Sequence, residues 1–263
     1  MTRAIVTLTT DFGPSSPYVA QMKGVILSIN PRATVVDLCH SIPPQDIRQG
    51  ALLLPELTRY FPPNTIHVAV VDPGVGTARR LVYARFGTRQ IVCPDNGLLT
   101  GLAREEPTFT MVELIRPEYW LPEPTRTFHG RDIMAPVAAW LSLGLSPVAL
   151  GPECTQPVEI PWPEASRVAN RIEGEIVSVD SFGNLITSIT ETMLAGVPRG
   201  EEEVKIHCDG HETQGIFQTY ADQPPMTLIA LVGSSGRLEL AIVNDSARDM
   251  LGVRAGEKVV VTW

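Results

Sequence analysis

Residues 66–76 read Ile66-His67-Val68-Ala69-Val70-Val71-Asp72-Pro73-Gly74-Val75-Gly76, and Arg79 follows. A β-branched, apolar run of this length describes a strand buried on both faces of a parallel sheet. A carboxylate at its carboxyl end, then a Pro-Gly turn and a guanidinium, is what an open α/β sheet places where ligands bind. A tight turn whose Asp caps its own backbone has the same composition. The same order recurs at the amino terminus, where Ala4-Ile5-Val6-Thr7-Leu8-Thr9-Thr10 runs into Asp11-Phe12-Gly13. Two strand-end carboxylates in one domain suggest a shared crevice.

Outward from these strands the first half alternates. Residues 18–29 space their apolar side chains as an amphipathic helix that Asn30-Pro31 stops. Residues 33–38 read as a strand, and 49–60 as a second helix that contains Pro55. Residues 81–86 and 90–93 are further strands, and the polar turn Pro94-Asp95-Asn96-Gly97 follows them. Residues 132–143 read as a helix, with Asp132 near its start and Gly144 ending it. Alternation of this kind predicts an α/β domain with a mainly parallel sheet flanked by helices. Pro152, Pro157, Pro161 and Pro163 then give a linker-like density of proline. Beyond them residues 172–179 alternate with period two, and 204–208, 226–232, 238–243 and 258–263 are short strands between turns. That pattern predicts a small antiparallel β-barrel or sandwich. The expected domains are 1–155 and 168–263, with the boundary between about residues 152 and 170.

Composition bounds the partners. The chain has 263 residues, 44% hydrophobic and 19% charged, enough for a sizeable core. A net charge of −8 argues against nucleic acid and anionic membrane surfaces, both of which need a basic face. No apolar stretch approaches the roughly 20 residues of a membrane span. No charged-then-apolar signal opens the chain, so the expected location is cytoplasmic. Cys39, Cys93, Cys154 and Cys208 form no Cys-x-x-Cys pair and read as small buried hydrophobes.

A third candidate site is Thr127-Phe128-His129-Gly130-Arg131-Asp132-Ile133, where an imidazole precedes a helix near the positive end of its dipole. For a lone histidine, local capping or packing is the commoner reading. No His-x-x-x-His or His-Glu-x-x-His spacing is present, so no metal is expected. Gly74-Val75-Gly76-Thr77-Ala78-Arg79 breaks the dinucleotide fingerprint at its third glycine. Gly233-Ser234-Ser235-Gly236 reads as a flexible turn able to offer hydroxyls and amides to a carboxylate. Asp180-Ser181-Phe182-Gly183-Asn184 is a turn after a strand. It also has the parts of a recognition loop, an aromatic face in Phe182 and an amide in Asn184 matched to a purine edge. Tyr220-Ala221-Asp222 has the same two readings.

In order along the chain, these segments resemble the S-adenosyl-L-methionine hydroxide adenosyltransferases, the adenosine-forming S-adenosylmethionine hydrolases related to fluorinases and chlorinases. The likeness rests on Thr10-Asp11-Phe12-Gly13, Gln21-Met22-Lys23-Gly24, Pro43-Pro44-Gln45-Asp46-Ile47, 72–79, 94–99, 128–132, 180–184 and 234–241. It implies hydrolysis of S-adenosyl-L-methionine to adenosine and L-methionine by hydroxide attack at the ribose 5′ carbon, with no cofactor. It also implies that Asp72, Arg79 and His129 act on the water and Asp11 holds the ribose hydroxyls. Phe182 and Tyr220 would then flank the adenine, with Asn184 on its edge. Asp180, Ser234 and Glu239 would take the methionine ammonium and carboxylate. The halogenases carry a hydroxyl residue where this chain has Gly130, and relatives more often have an aromatic residue at Arg237. The resemblance further implies a homotrimer with sites between subunits. The alternatives are a sensor that binds S-adenosylmethionine or adenosine without turnover, and a halogenase of the same fold. A methyltransferase-like or NAD-type enzyme is disfavoured by the broken glycine motif.

Overall fold

The two acid-bearing strands lie side by side. β1 (Ile5–Thr10) and β3 (Ile66–Val70) pair in parallel, Thr7 opposite His67 and Thr10 opposite Val70, so Asp11 and Asp72 leave the same edge of the sheet. The computed structural model describes residues 3–200 and 202–263. They form two units, one ending at Ile160 and the other running from Pro161 to Trp263.

In the first unit, six strands lie in the order β2-β1-β3-β5-β4-β6, with β2 Thr34–Cys39, β4 Leu81–Phe86, β5 Arg89–Pro94 and β6 Phe109–Glu113. The sheet is mixed. β2, β1, β3 and β5 are parallel, whereas β4 returns antiparallel beside β5 and β6 beside β4. Period-two alternation sorts the side chains: Val68 and Val70 face one core, Ala69 and Val71 the other. The first core takes helices α1 (Pro17–Ile29) and α4 (Ala135–Ser142). The second takes α2 (Ile47–Thr58) and α3 (Thr100–Glu105). Helices therefore cover both faces, as parallel strands require.

The chain leaves β1 toward β2 and leaves β3 toward β5. The gap beyond the carboxyl ends of β1 and β3 is thus a topological switch point, the place where open α/β sheets form ligand crevices. Caps set the helices around it. Ser16 accepts from the Tyr18 amide and Pro17 occupies the first turn of α1, while Asp46 accepts from the Gln49 amide at 2.9 Å and starts α2.

Two expectations are corrected. The helix expected over 132–143 opens as a π turn, Gly130–Met134, and becomes α-helical only at Ala135. The proline-rich stretch is no loose tether. The Glu113 amide donates to the Pro152 carbonyl and the Cys154 amide to Met111, both at 2.9 Å. The Val158 amide donates to Asp95 at 2.8 Å and the Ile160 amide to Thr100 at 3.2 Å. The prolines lack donors, but the residues between them supply the bonds that strap the segment to the first unit.

The second unit is an eight-stranded antiparallel sheet that runs β11-β10-β14-β8-β9-β13-β12, with β7 (Ser166–Val168) beside β8. Its strands are β8 Arg171–Val179, β9 Leu185–Thr190, β10 Lys205–Cys208, β11 His211–Gln214, β12 Leu228–Val232, β13 Arg237–Ile242 and β14 Lys258–Thr262. Register shifts in β8 and β13 mark irregularities of the kind that bend a sheet. The Thr213 hydroxyl donates to the Leu228 carbonyl at 2.6 Å, which brings the end strands β11 and β12 together into a nearly closed barrel. Ile172, Ile176, Leu185, Leu240 and Val259 fill its core. The short helix α5 (Ala247–Leu251) follows β13. No helix among the described residues is long and apolar enough to cross a membrane.

Candidate active site

At the switch point the first unit holds a cavity of about 600 Å³, lined by Asp11, Asp72 and His129 among others. Asp11 uses Oδ2 to accept the Gln45 amide at 2.8 Å. Arg79 lies behind this lining. Its Nε donates to Asp72 Oδ1 at 2.5 Å and its Nη2 to Asp72 Oδ2, a bidentate pair in which the side chains are 9% and 5% exposed. Nη2 also lies 3.2 Å from His129 Nδ1. Arg79 therefore bridges the acid and the imidazole. Among the described residues its Nη1 is buried without a hydrogen-bond partner.

A guanidinium only donates, so His129 Nδ1 is an acceptor and the neutral ring carries its proton on Nε2. Burial and the neighbouring Arg79 charge hold the His129 pKa below the usual 6.5 against the opposing pull of Asp72, Asp132 and the Thr125 backbone. The imidazole is thus neutral and basic at pH 7. The conformation depends on two close approaches. Gly76 takes φ +82°, and a Cβ there would press on the Arg126 carbonyl at 2.5 Å. A Cβ on Gly130 would meet Phe128, Val70 and Met22 at 3.2, 3.3 and 3.5 Å, so apolar atoms already crowd the space a hydroxyl side chain would enter.

The second unit holds a cavity of about 960 Å³ lined by Asp180, Phe182, Asn184, Tyr220, Ser234 and Glu239. All six of the second-unit candidates face one space. The Asp180–Asn184 segment is the β8–β9 turn, with Gly183 at φ +85°. Asp180 Oδ1 accepts the amides of Phe182 and Asn184 at 2.9 and 2.8 Å, and its Oδ2 accepts Asn184 Nδ2 at 2.9 Å. The turn exists, and it presents a Phe182 ring that is 78% exposed. Asn184 Nδ2 also reaches the Tyr220 hydroxyl at 3.4 Å, and that hydroxyl donates to Glu239 Oε2 at 3.0 Å. Burial and the Glu239 carboxylate push the Tyr220 pKa up to about 12, so it remains a donor.

Gly233 is a glycine for want of space, not for flexibility, because any Cβ there would overlap the Glu239 carboxylate. Arg237 is absent from the cavity lining, and its Nη1 donates to the Thr187 carbonyl at 3.5 Å.

Residues 6–151 match the SAM hydroxide adenosyltransferase N-terminal domain, and residues 174–260 match the C-terminal domain of the same family. The chain belongs to the SAM hydroxide adenosyltransferases. A Thermus thermophilus protein named (R)-S-adenosyl-L-methionine hydrolase is 40% identical, covering 97% of this chain and 98% of the relative. A Salinispora arenicola protein of the same name is 37% identical over 98% and 97% of the two chains. A fluorinase from an Actinoplanes species is more distant, 29% identical over 98% of this chain and 97% of its own. Among solved structures, an uncharacterized conserved protein from Thermotoga maritima superposes with a TM-score of 0.93 at 32% identity, covering 98% of this chain and all of that one.

Several cavity residues have no role assigned from the sequence, although Phe12, Phe128 and Arg131 lie in stretches singled out there. Phe12, Tyr18 and Phe128 form a wall of edge-on rings with centroids 5.1–5.6 Å apart. A Tyr in the first turn of α1 was the available signal, since it is half exposed where a core residue would be covered. Thr125 and Arg131 line the same cavity. No periodicity marks Thr125, which lies in irregular chain.

Proposed function

We propose that this chain hydrolyses S-adenosyl-L-methionine to adenosine and L-methionine. The observation that carries the reading is Arg79 bridging Asp72 and His129 at the switch point of a sheet that belongs to this family. A protein that only sensed the ligand would have no need of a buried acid–guanidinium–imidazole cluster beside it. The relatives' printed name specifies the R sulfonium, and we assign that epimer to this chain as well.

In the proposed reaction, a water oxygen forms a bond to the ribose 5′ carbon as the carbon–sulfur bond breaks. The bonding pair goes to sulfur, which turns from a sulfonium into a neutral thioether and needs no general acid. Catalysis therefore consists of placing the water in line and taking its proton. Both Asp72 oxygens are occupied by Arg79 at short range, whereas the His129 contact with Arg79 is the longer 3.2 Å. We assign His129 as the proton acceptor through Nδ1, its one unprotonated nitrogen, which must give up the long Arg79 contact to face the water; Asp72 orients that water, and Arg79 is a fixed charge behind both. Arg79 itself stays protonated. Asp11 has Oδ1 to offer the ribose hydroxyls.

In the second-unit cavity, Asn184 spends its amide N–H on Asp180 and Tyr220, which leaves its carbonyl oxygen to accept from the exocyclic amine of adenine. Phe182 and Tyr220 supply flanking faces. Ser234, Glu239 and the residual acceptor capacity of Asp180 suit the amino-acid end. Asn184→Ala is expected to weaken adenosine binding by about 1–3 kcal/mol, the usual loss when a buried polar partner disappears. Calorimetry that finds unchanged affinity would reduce the loop to a turn. We further assign a homotrimer in which each complete site takes the first-unit cavity from one chain and the second-unit cavity from its neighbour.

Mass spectrometry of pure protein incubated with S-adenosylmethionine tests the activity. Adenosine plus methionine is the expected result. Intact ligand would indicate a sensor, S-adenosylhomocysteine a methyl transfer, and a 5′-halo nucleoside in the presence of halide a halogenase.

A further inference from the structure

Asp132 is buried far more deeply than a helix-start acid needs to be. Its side chain is 1% exposed, and a carboxylate there remains ionised only where donors meet it. Its Oδ2 accepts both the backbone N–H and the hydroxyl of Thr125, at 2.7 and 2.6 Å, and its Oδ1 accepts Arg131 Nε at 2.6 Å. Arg131 is fixed in turn by Gln21, 2.8 Å from its Nη1, and by the Phe128 ring, whose centroid lies 5.0 Å away. Burial raises the Asp132 pKa, but the Arg131 and Thr125 hydrogen bonds outweigh it and hold the group below the usual carboxylate value.

What Asp132 grips is Thr125, seven residues upstream in chain that has no helix or strand to hold it. Thr125 lines the same cavity as His129, and its backbone lies near enough to favour the protonated imidazole. A continuous path therefore runs from Gln21 through Arg131, Asp132 and Thr125 to His129, and on through Arg79 to Asp72. Asp132 sits within the π turn, with its carboxylate turned back to Thr125.

We propose that Asp132 is the positioning residue of the water site, fixing through Thr125 the orientation and tautomer of His129 so that Nδ1 faces Arg79. The kinetic part of this proposal rests on the hydrolase reading; the tautomer does not. A carboxylate is required because four donors converge on it, two from Thr125 and two from Arg131, and an amide would turn its own N–H₂ toward one of them. The charged groups facing His129 are Arg79 and Asp72 from the turn after β3, and Asp132, itself paired with Arg131, from the π turn.

The test pairs Asp132→Asn with Thr125→Val, which removes only the hydroxyl bond. Nitrogen NMR of wild type is expected to show His129 with Nδ1 bare and Nε2 protonated, and Asp132→Asn to show a mixture of tautomers. With S-adenosylmethionine, kcat is expected to fall at least about tenfold with KM within about twofold. The acid limb of the kcat profile moves to lower pH, since the Asp132 charge and the Thr125 backbone both favour protonated imidazole. Thr125→Val moves every readout in the same direction by less, and it decides alone if Asp132→Asn does not fold. An unchanged tautomer and acid limb in a folded variant overturns the proposal, even where kcat falls. Wild type that hydrolyses no S-adenosylmethionine defeats the hydrolase reading instead, and the tautomer measurement then judges Asp132 by itself.

Discussion

Alanine at His129 or at Asp72 is expected to lower kcat by about 100- to 10,000-fold, the usual range for losing a positioned acid–base group. KM is expected to change far less, because neither side chain is assigned a substrate atom that is bound before reaction. The double variant will lose little more than either single one, since both act on one water. Wild type should show an acid limb in kcat below pH 6.5, the side to which burial and Arg79 shift His129. The sign follows from the base role: the neutral ring works, so activity falls as pH drops through the lowered pKa. His67 complicates that range. It is buried against Thr7 at 2.8 Å and pushed down to about 4, so the unfolded chain takes up its proton first. Fold stability is then full above about pH 6.5 and declines as pH falls toward 4. Circular dichroism at each pH separates the two effects. Near-full turnover by both folded single variants would remove the cluster from the mechanism.

Much of this arrangement was legible in the sequence for physical reasons. β1 and β3 are buried at nearly every side chain, so they carry β-branched and apolar residues and no acid, with His67 as a polar break in β3, and an acid immediately after such a run is conspicuous. The antiparallel return of β4 beside β5 was not legible, because a hairpin and a crossover both leave two short apolar runs. β6, β9 and β11 are only four to six residues long and carry too little periodicity to stand out. Asp132 shows the sharper limit. An acid near a helix start ordinarily answers the helix dipole, and only the π winding, which has no composition signature, reveals that it is turned inward. Gly233 is similar: a glycine in a Gly-Ser turn reads as freedom of the backbone, whereas the Glu239 carboxylate, folded back from the second arm of the same hairpin, occupies the space a Cβ would need.

Mixing two inactive variants is expected to restore activity, the second large effect. The residues proposed for ribose and water all lie in the first unit, and those proposed for adenine and methionine in the second. In the proposed cyclic trimer each interface is head-to-tail, joining the first unit of one chain to the second unit of the next. His129→Ala disables only first units; Asn184→Ala combined with Ser234→Ala disables only second units. Random exchange at equal amounts then gives about one interface in four with both halves intact, so about a quarter of wild-type activity should return. Recovery should follow the product of the two variants' fractions and peak at equal mixing. A site completed within one chain predicts no recovery at any ratio, because every chain carries one lesion. Light scattering supplies the premise. A monomer would sink the shared site at once, and verified mixed trimers without activity would sink it while leaving the hydrolase reading in place.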